Sequence, residues 1–223
     1  MNEADKIREA YRHCEQLVRA HAKDHFLASL FAPAERRPYL LALYAFAIEI
    51  AHVKMLVTEP ITGAIRLQWW REAIDGLREA EAAASPVMIA LQDAARRTDI
   101  SLAPLTGAID AREVELYGTP PIGASSAIFI MAARFLGAEA DAIAVAADAA
   151  AQAVTFAGDP QEAKKARDAY VAFRSQVENL PERVLPAFLT VCLVPLRLKH
   201  PDTSQWRRQI ALLRTAWFGF PRM

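Results

Sequence analysis

PAERRPYLLALYAFAIEIAHVKMLVTEPITGAIRLQWWREAID, from Pro33 to Asp75, is the stretch whose reading decides the fold. Between Tyr39 and Val57 only Glu49, His52 and Lys54 interrupt a continuous apolar run. A helix that is apolar on nearly all sides belongs in the centre of a bundle, so residues 34–57 are expected to form the central helix, with the turns from Tyr44 to Met55 among the most buried. Pro38 falls in its first turns, where proline is tolerated. The sequence Glu59-Pro60-Ile61-Thr62-Gly63 stops it and leads into a second helical pattern over 64–82, with Thr62 as its cap. The three polar interruptions argue against a membrane span of roughly 20 residues. So do Pro186, Pro195 and Arg197 in the other apolar stretch, 185–198.

Outward from this stretch the pattern stays helical, with no sustained alternation of apolar and polar residues that would mark a half-buried strand. Helices are expected over 3–22, 34–57, 64–82, from Ser85-Pro86 onward, and over 101–116, 125–136, 138–156, 160–179, 181–199 and 204–218. The fold class is all-α, one domain covering 1–223 with about ten helices. The 223 residues, 53% hydrophobic and 23% charged, suffice for one sizeable core.

Twenty-six basic and 26 acidic residues leave a formal net charge of zero. No global field steers nucleic acid to the chain, and nucleic acid is excluded as a partner. Cys14 and Cys192 stand far apart without Cys-x-x-Cys or Cys/His spacing, which reads as reduced thiols in a cytosolic protein. The opening MNEADKIREAYRHCEQ is mixed in charge and lacks the apolar core of a secretion signal.

On the expected central helix Tyr44, Ile48, Ala51 and Met55 step by four, three and four, so they form one stripe. A phenol, an alkyl group, a methyl and a thioether offer neither hard oxygen ligands for magnesium nor cations for a phosphate. The surrounding sequence nevertheless resembles the first core helices of the squalene/phytoene synthases, which join two prenyl diphosphates head to head. That family reads roughly Tyr-Ala-Phe-Cys-Arg-x-x-Asp-x-x-x-Asp on this helix, its aspartates holding magnesium on the substrate. By the resemblance Tyr44 matches, the family's arginine falls on Ile48, its aspartates on Ala51 and Met55, and a serine of the preceding segment on Asp24.

The likeness extends over about two thirds of the chain. Ile65 to Arg71, reading IRLQWWR, resembles a bacterial subgroup of the family, as do Ile109-Asp110-Ala111-Arg112, Leu185 to Leu189, Pro195-Leu196 and Arg207-Arg208-Gln209. Between Tyr117 and Ser125, and around Gly158-Asp159-Pro160, the chain runs across where the family has more residues. The family's second aspartate motif falls on the alanine-rich run from Ala146 to Phe156, which offers Asp148 and Gln152. The resemblance therefore implies a shortened isoprenoid-synthase-like helical bundle without catalytic residues or a metal. Its degenerate substrate pocket would comprise Asp24, Tyr44, Ile48, Ala51, His52, Met55, Asp148 and Gln152.

Four other groups invite chemistry. His21 and His25 stand at i and i+4 on one helix turn, a geometry zinc can use, with Asp24 as a third ligand; a solvated end of the first helix is the favoured reading. Asp110, Glu113 and Glu115 with Arg112 could serve acid/base work, but an exposed, ion-paired helix face accounts for them. His52 follows Ala51 on the apolar helix, and a core histidine satisfied by hydrogen bonding is favoured over a functional one. Adjacent Trp69 and Trp70 diverge by about 100° on a helix, so one belongs to the core and the other to a groove or the surface.

The favoured function is that of a pseudoenzyme acting through protein partners, some of them at membranes, like the family's mitochondrial relative in respiratory complex I assembly. The alternatives are a carrier of an apolar lipid or isoprenoid, and an active prenyl diphosphate transferase of isoprenoid biosynthesis with unusual ligands. Only the last would use magnesium. The expected location is the cytoplasm, including a peripheral position at the inner membrane.

Overall fold

The computed structural model describes residues 2–221, Ala140 by its backbone alone, and among these residues every regular element is helical. Thirteen α-helices follow in order: α1 Glu3–His21, α2 Lys23–Ser29, α3 Arg37–Leu56, α4 Pro60–Ile74, α5 Glu79–Ala82, α6 Pro86–Thr98, α7 Leu105–Glu115, α8 Ile122–Phe135, α9 Ala140–Phe156, α10 Ala163–Val177, α11 Leu185–Phe188, α12 Val194–Lys199 and α13 Gln205–Phe218. Short 3₁₀ segments precede α10 and flank α11.

Helix α3 is central, covered by α1, α4, α6, α7 and α8. Its residues Leu40 to Phe46 are all buried, as are Ile50 and Val53. Its best 18-residue window has a mean hydropathy of 1.5, the level of a membrane span, but 56% of that window is buried inside the bundle. Neighbouring helices here take the place of lipid. One correction to the expected burial lies at its end, where Met55 is 82% and Leu56 66% exposed because the helix runs out past its neighbours. Farther along the chain α8, α9 and α10 stack on one another. Phe129 lies parallel to Phe188 at 5.4 Å, and Phe188 meets Phe173 at 5.8 Å.

Local chemistry accounts for most helix ends. Asn2 accepts a hydrogen bond from the Asp5 backbone N–H at 2.7 Å, and Ser85 accepts from Met88, as side-chain caps do. Helix α6 closes on Asp99 in the left-handed region (φ 54°), and the segment after α4 turns at Gly76 (φ 79°). Arg37 donates to the carbonyls of Ser29 and Leu30, satisfying orphan acceptors at the end of α2.

Several boundaries differ from those read in the sequence. Helix α4 begins at Pro60, proline standing in the first turn, and Thr62 is not its cap. The expected 64–82 helix ends at Ile74, and α5 is a separate turn. The expected 181–199 helix is divided into α11, a 3₁₀ stretch and α12, with Pro186 and Pro195 each seated in a first turn where no N–H is needed. Ala22 leaves the helical region (φ −137°, ψ 57°), which separates α2 from α1.

Gly63 sets how closely α4 approaches α7. A Cβ placed there would lie 2.7 Å from Leu116 Cδ1 and 3.2 Å from Val57 Cγ2. Gly63→Ala gains helix propensity while Leu116 swings aside, so its thermal stability should stay close to the parent's. Gly63→Val adds bulk that cannot be absorbed and should cost about 1–3 kcal/mol in denaturant unfolding. Equal stability of the two variants would show that α4 and α7 separate freely.

Candidate functional site

The break at Ala22 decides what surrounds the Tyr44 stripe. His21 stays on α1 and meets His52 of α3 edge-on, with ring centroids 5.1 Å apart. His25 lies on α2 and packs edge-on against Tyr44 at 4.7 Å. The reading of His21 and His25 as neighbours on one helical turn is therefore corrected, since two helices carry them to different partners. Among the described residues no three His, Cys, Asp or Glu side chains converge as a metal site.

Between the α1–α2 corner and α12–α13 lies a cavity of about 490 Å³ whose walls include His21, Asp24, His25, Arg197, Gln205 and Arg208. Asp24 Oδ2 is 3.7 Å from Arg197 Nη2 and 3.3 Å from Arg208 Nε, and only 13% of the Asp24 side chain is exposed. Burial lowers the Arg197 pKa, opposed by the Asp24 charge. One carboxylate thus faces two guanidinium groups through charge and without a hydrogen bond to either, Arg208 Nε being buried with no hydrogen-bond partner. Asp24 Oδ1, Gln205 Nε2 and the Tyr44 hydroxyl are buried without hydrogen-bond partners. Burial also raises the Tyr44 phenol well above its ordinary value, so it remains neutral.

The other pocket candidates do not gather here as one set. Tyr44 is 3% exposed, Ile48, Ala51 and His52 are half-buried, and Met55 stands in solvent, so the stripe climbs from core to surface. Asp148 and Gln152 are exposed on α9. The Asp148 carboxylate accepts a hydrogen bond from Ser126 of α8. Gln152 offers an exposed amide and nothing more. What the sequence did not single out is the pair Arg197 and Arg208, on the consecutive helices α12 and α13 and joined through Asp24.

The acidic group on α7 is an ion-paired face, but its main partner comes from another helix. Arg71 of α4 holds Asp110 at 2.7 Å and also Glu113, while Arg112 pairs with Glu115 at 2.7 Å. Trp70 is buried against Phe46, and half-buried Trp69 donates from Nε1 to Glu81 at 2.7 Å, the division expected of adjacent tryptophans. Both cysteines are buried free thiols, and burial pushes Cys192 up to about 11 and Cys14 up to about 12. They are inert at neutral pH.

Residues 18–127, which take in α2 to α7 and the Tyr44 stripe, match squalene/phytoene synthase. The chain belongs to the squalene/phytoene synthase family. Its fold is similar to that of a dehydrosqualene synthase solved with a ligand, with a TM-score of 0.75 over 96% of this chain and 97% of that one at 12% identity. Among curated proteins it is 36% identical over 105 residues to NADH dehydrogenase (ubiquinone) complex I, assembly factor 6 of Bos taurus, covering 47% of this chain and 32% of that protein. It is 31% identical over 114 residues to phytoene synthase of Mycobacterium tuberculosis, covering 51% of this chain and 37% of that enzyme. The matched segment thus spans about a third of each relative. The family match, residues 18–127, ends ahead of α9, so Asp148 and Gln152 lie outside it.

His25 gives this site a pH signature. Burial holds its pKa down at about 4, assisted by Arg197 and opposed by Asp24. The unfolded chain takes up a proton near pH 6.5 that the folded chain refuses until about pH 4, so stability falls as pH drops through that window and is fully restored above it. At pH 5 the loss from this group is about 2 kcal/mol. His25→Gln should remove it, and unfolding curves at pH 7 and pH 5 should lie closer together for the variant than for the parent. An unchanged gap would mean that His25 is protonated without cost.

Proposed function

We propose that this chain is a non-catalytic member of the family that acts through protein contacts in the assembly of respiratory complex I. Similarity to the mammalian assembly factors supports the reading, and the chemistry of the α3 stripe carries it. Ionising a prenyl diphosphate needs magnesium held by carboxylates and cations free to take the leaving group. The stripe of Tyr44, Ile48, Ala51 and Met55 supplies no carboxylate. Octahedral magnesium has no oxygen set there, and these residues do not fit the metal.

The cations beside α2 are engaged as well. Arg197 and Arg208 already face an anion of the chain itself, Asp24. An incoming diphosphate would have to compete with that carboxylate, which is covalently tethered and always present. Asp148 and Gln152, exposed on α9, provide one carboxylate and one amide in place of an opposing ligand set. In this reading the degenerate pocket is a structural remnant and the protein needs no cofactor.

Two measurements test the proposal. In cells of the source organism lacking this protein, native gels should reveal stalled complex I intermediates, restored by the parent chain. Purified protein with magnesium and farnesyl or geranylgeranyl diphosphate should yield no hydrocarbon. Ala51→Asp/Met55→Asp should remain inactive, and Met55→Asp alone should keep the parent's stability because its side chain is in solvent. Turnover by the parent or the double variant would overturn the non-catalytic assignment, and normal complex I in the deficient cells would overturn the assembly role.

A further inference from the structure

Helix α13 turns part of its apolar surface toward solvent. Its buried residues are Leu212 and Thr215, Leu212 packing with Ala28, Leu189, Cys192 and Leu193. On the opposite face Trp206, Ile210, Leu213 and Trp217 step by four, three and four, and they are 59, 51, 53 and 76% exposed. The stripe is about 17 Å long, with a tryptophan at each end. Phe218, 83% exposed, stands beside the end of the stripe on the flank that carries Arg214. Single exposed apolar side chains are ordinary, but a continuous stripe bearing two tryptophans marks an interaction surface.

Charge identifies the kind of surface it meets. Helix α13 contains Arg207, Arg208 and Arg214 and no aspartate or glutamate, in a chain whose formal net charge is zero. Arg208 turns inward to Asp24. Arg207 and Arg214, two helical turns apart, lie along one flank of the stripe and form no ion pair among the described residues. With Lys199 they rim a groove of about 970 Å³ that Leu196 and Phe220 also line. A second copy packed antiparallel on the stripe would bring Arg207 of one chain toward Arg214 of the other, where like charges repel.

An apolar stripe, tryptophans at both ends and unpaired arginines beside it are the components of a helix that lies in a lipid–water interface. Isoleucine and leucine enter the acyl boundary, indoles favour the headgroup level, and guanidinium groups meet lipid phosphates. We infer that the outer face of α13 docks this protein on a membrane surface containing anionic phospholipid, the helix lying parallel to the membrane plane. The docking uses no residue of the Tyr44 stripe and stands whether or not the chain takes part in complex I assembly.

Vesicle flotation tests it with the full chain. The parent should float with phosphatidylcholine vesicles that contain phosphatidylglycerol, and much less with phosphatidylcholine alone. Added salt should release it. Ile210→Glu/Leu213→Glu, at exposed positions, should keep the parent's melting temperature and lose about tenfold or more in vesicle partitioning. Arg207→Glu/Arg214→Glu should lose only the enhancement by anionic lipid. Brominated phosphatidylcholine should quench the parent's fluorescence, and Trp206→Phe/Trp217→Phe should abolish that quenching while Trp69 and Trp70 still emit. Absence of flotation, flotation unchanged in the variants, or a dimer that Ile210→Glu/Leu213→Glu splits without any vesicle binding would each overturn the inference.

Discussion

Burial of α3 is the constraint on which the bundle depends. A 20-residue helix with a run of wholly buried side chains from Leu40 to Phe46 cannot remain in water, and its neighbours are arranged to cover it. Because α1, α4, α6, α7 and α8 all contact α3, every site on these helices takes its position from that packing. The connection is direct at Trp70, which rests on Phe46 while its neighbour Trp69 reaches Glu81. It is equally direct at Tyr44, whose buried ring orients His25 from α2.

The second organising feature is polar. Asp24 on α2 faces Arg197 on α12 and Arg208 on α13, binding the start of the chain to its final helices across a small cavity. Buried ion pairs repay their desolvation only when geometry is good, and removing one partner is costlier than never having had the pair. Elsewhere Tyr11 donates to buried Asp93 at 3.0 Å, joining α1 to α6, and Arg97 on α6 pairs with the same carboxylate. Asp24 with Arg197 and Arg208, and Asp110 and Glu113 with Arg71, are thus carboxylates facing arginines of other helices. A chain that keeps the family's fold and uses its inward charges in this way has a framework whose remaining functional freedom lies on its surface.

The fold was legible because its strongest signal is local. Apolar residues at helical spacing, Ser85-Pro86 at the head of α6 and the long run from Tyr39 to Val57 announce helices and a centre before any contact is known. The candidate site was legible only in part. The composition of the Tyr44 stripe could be read from spacing, but its rise from buried Tyr44 to solvent-exposed Met55 depends on where the covering helices end. Asp24 was found as a single residue, whereas its partners lie more than 170 positions away and no local pattern links them.

The sequence by itself determined the all-α class, the central position of the 39–57 run, the division of labour between Trp69 and Trp70, and the lack of carboxylates on the Tyr44 stripe. Each follows from residue type and helical period, which act over a few neighbours. Tertiary structure alone decided that Ala22 breaks the first helix and separates His21 from His25, that Arg71 reaches across to α7, and that α13 leaves its tryptophans outward. These outcomes depend on which face of each helix finds cover. That is settled by the volume and placement of distant side chains, and periodicity does not encode it.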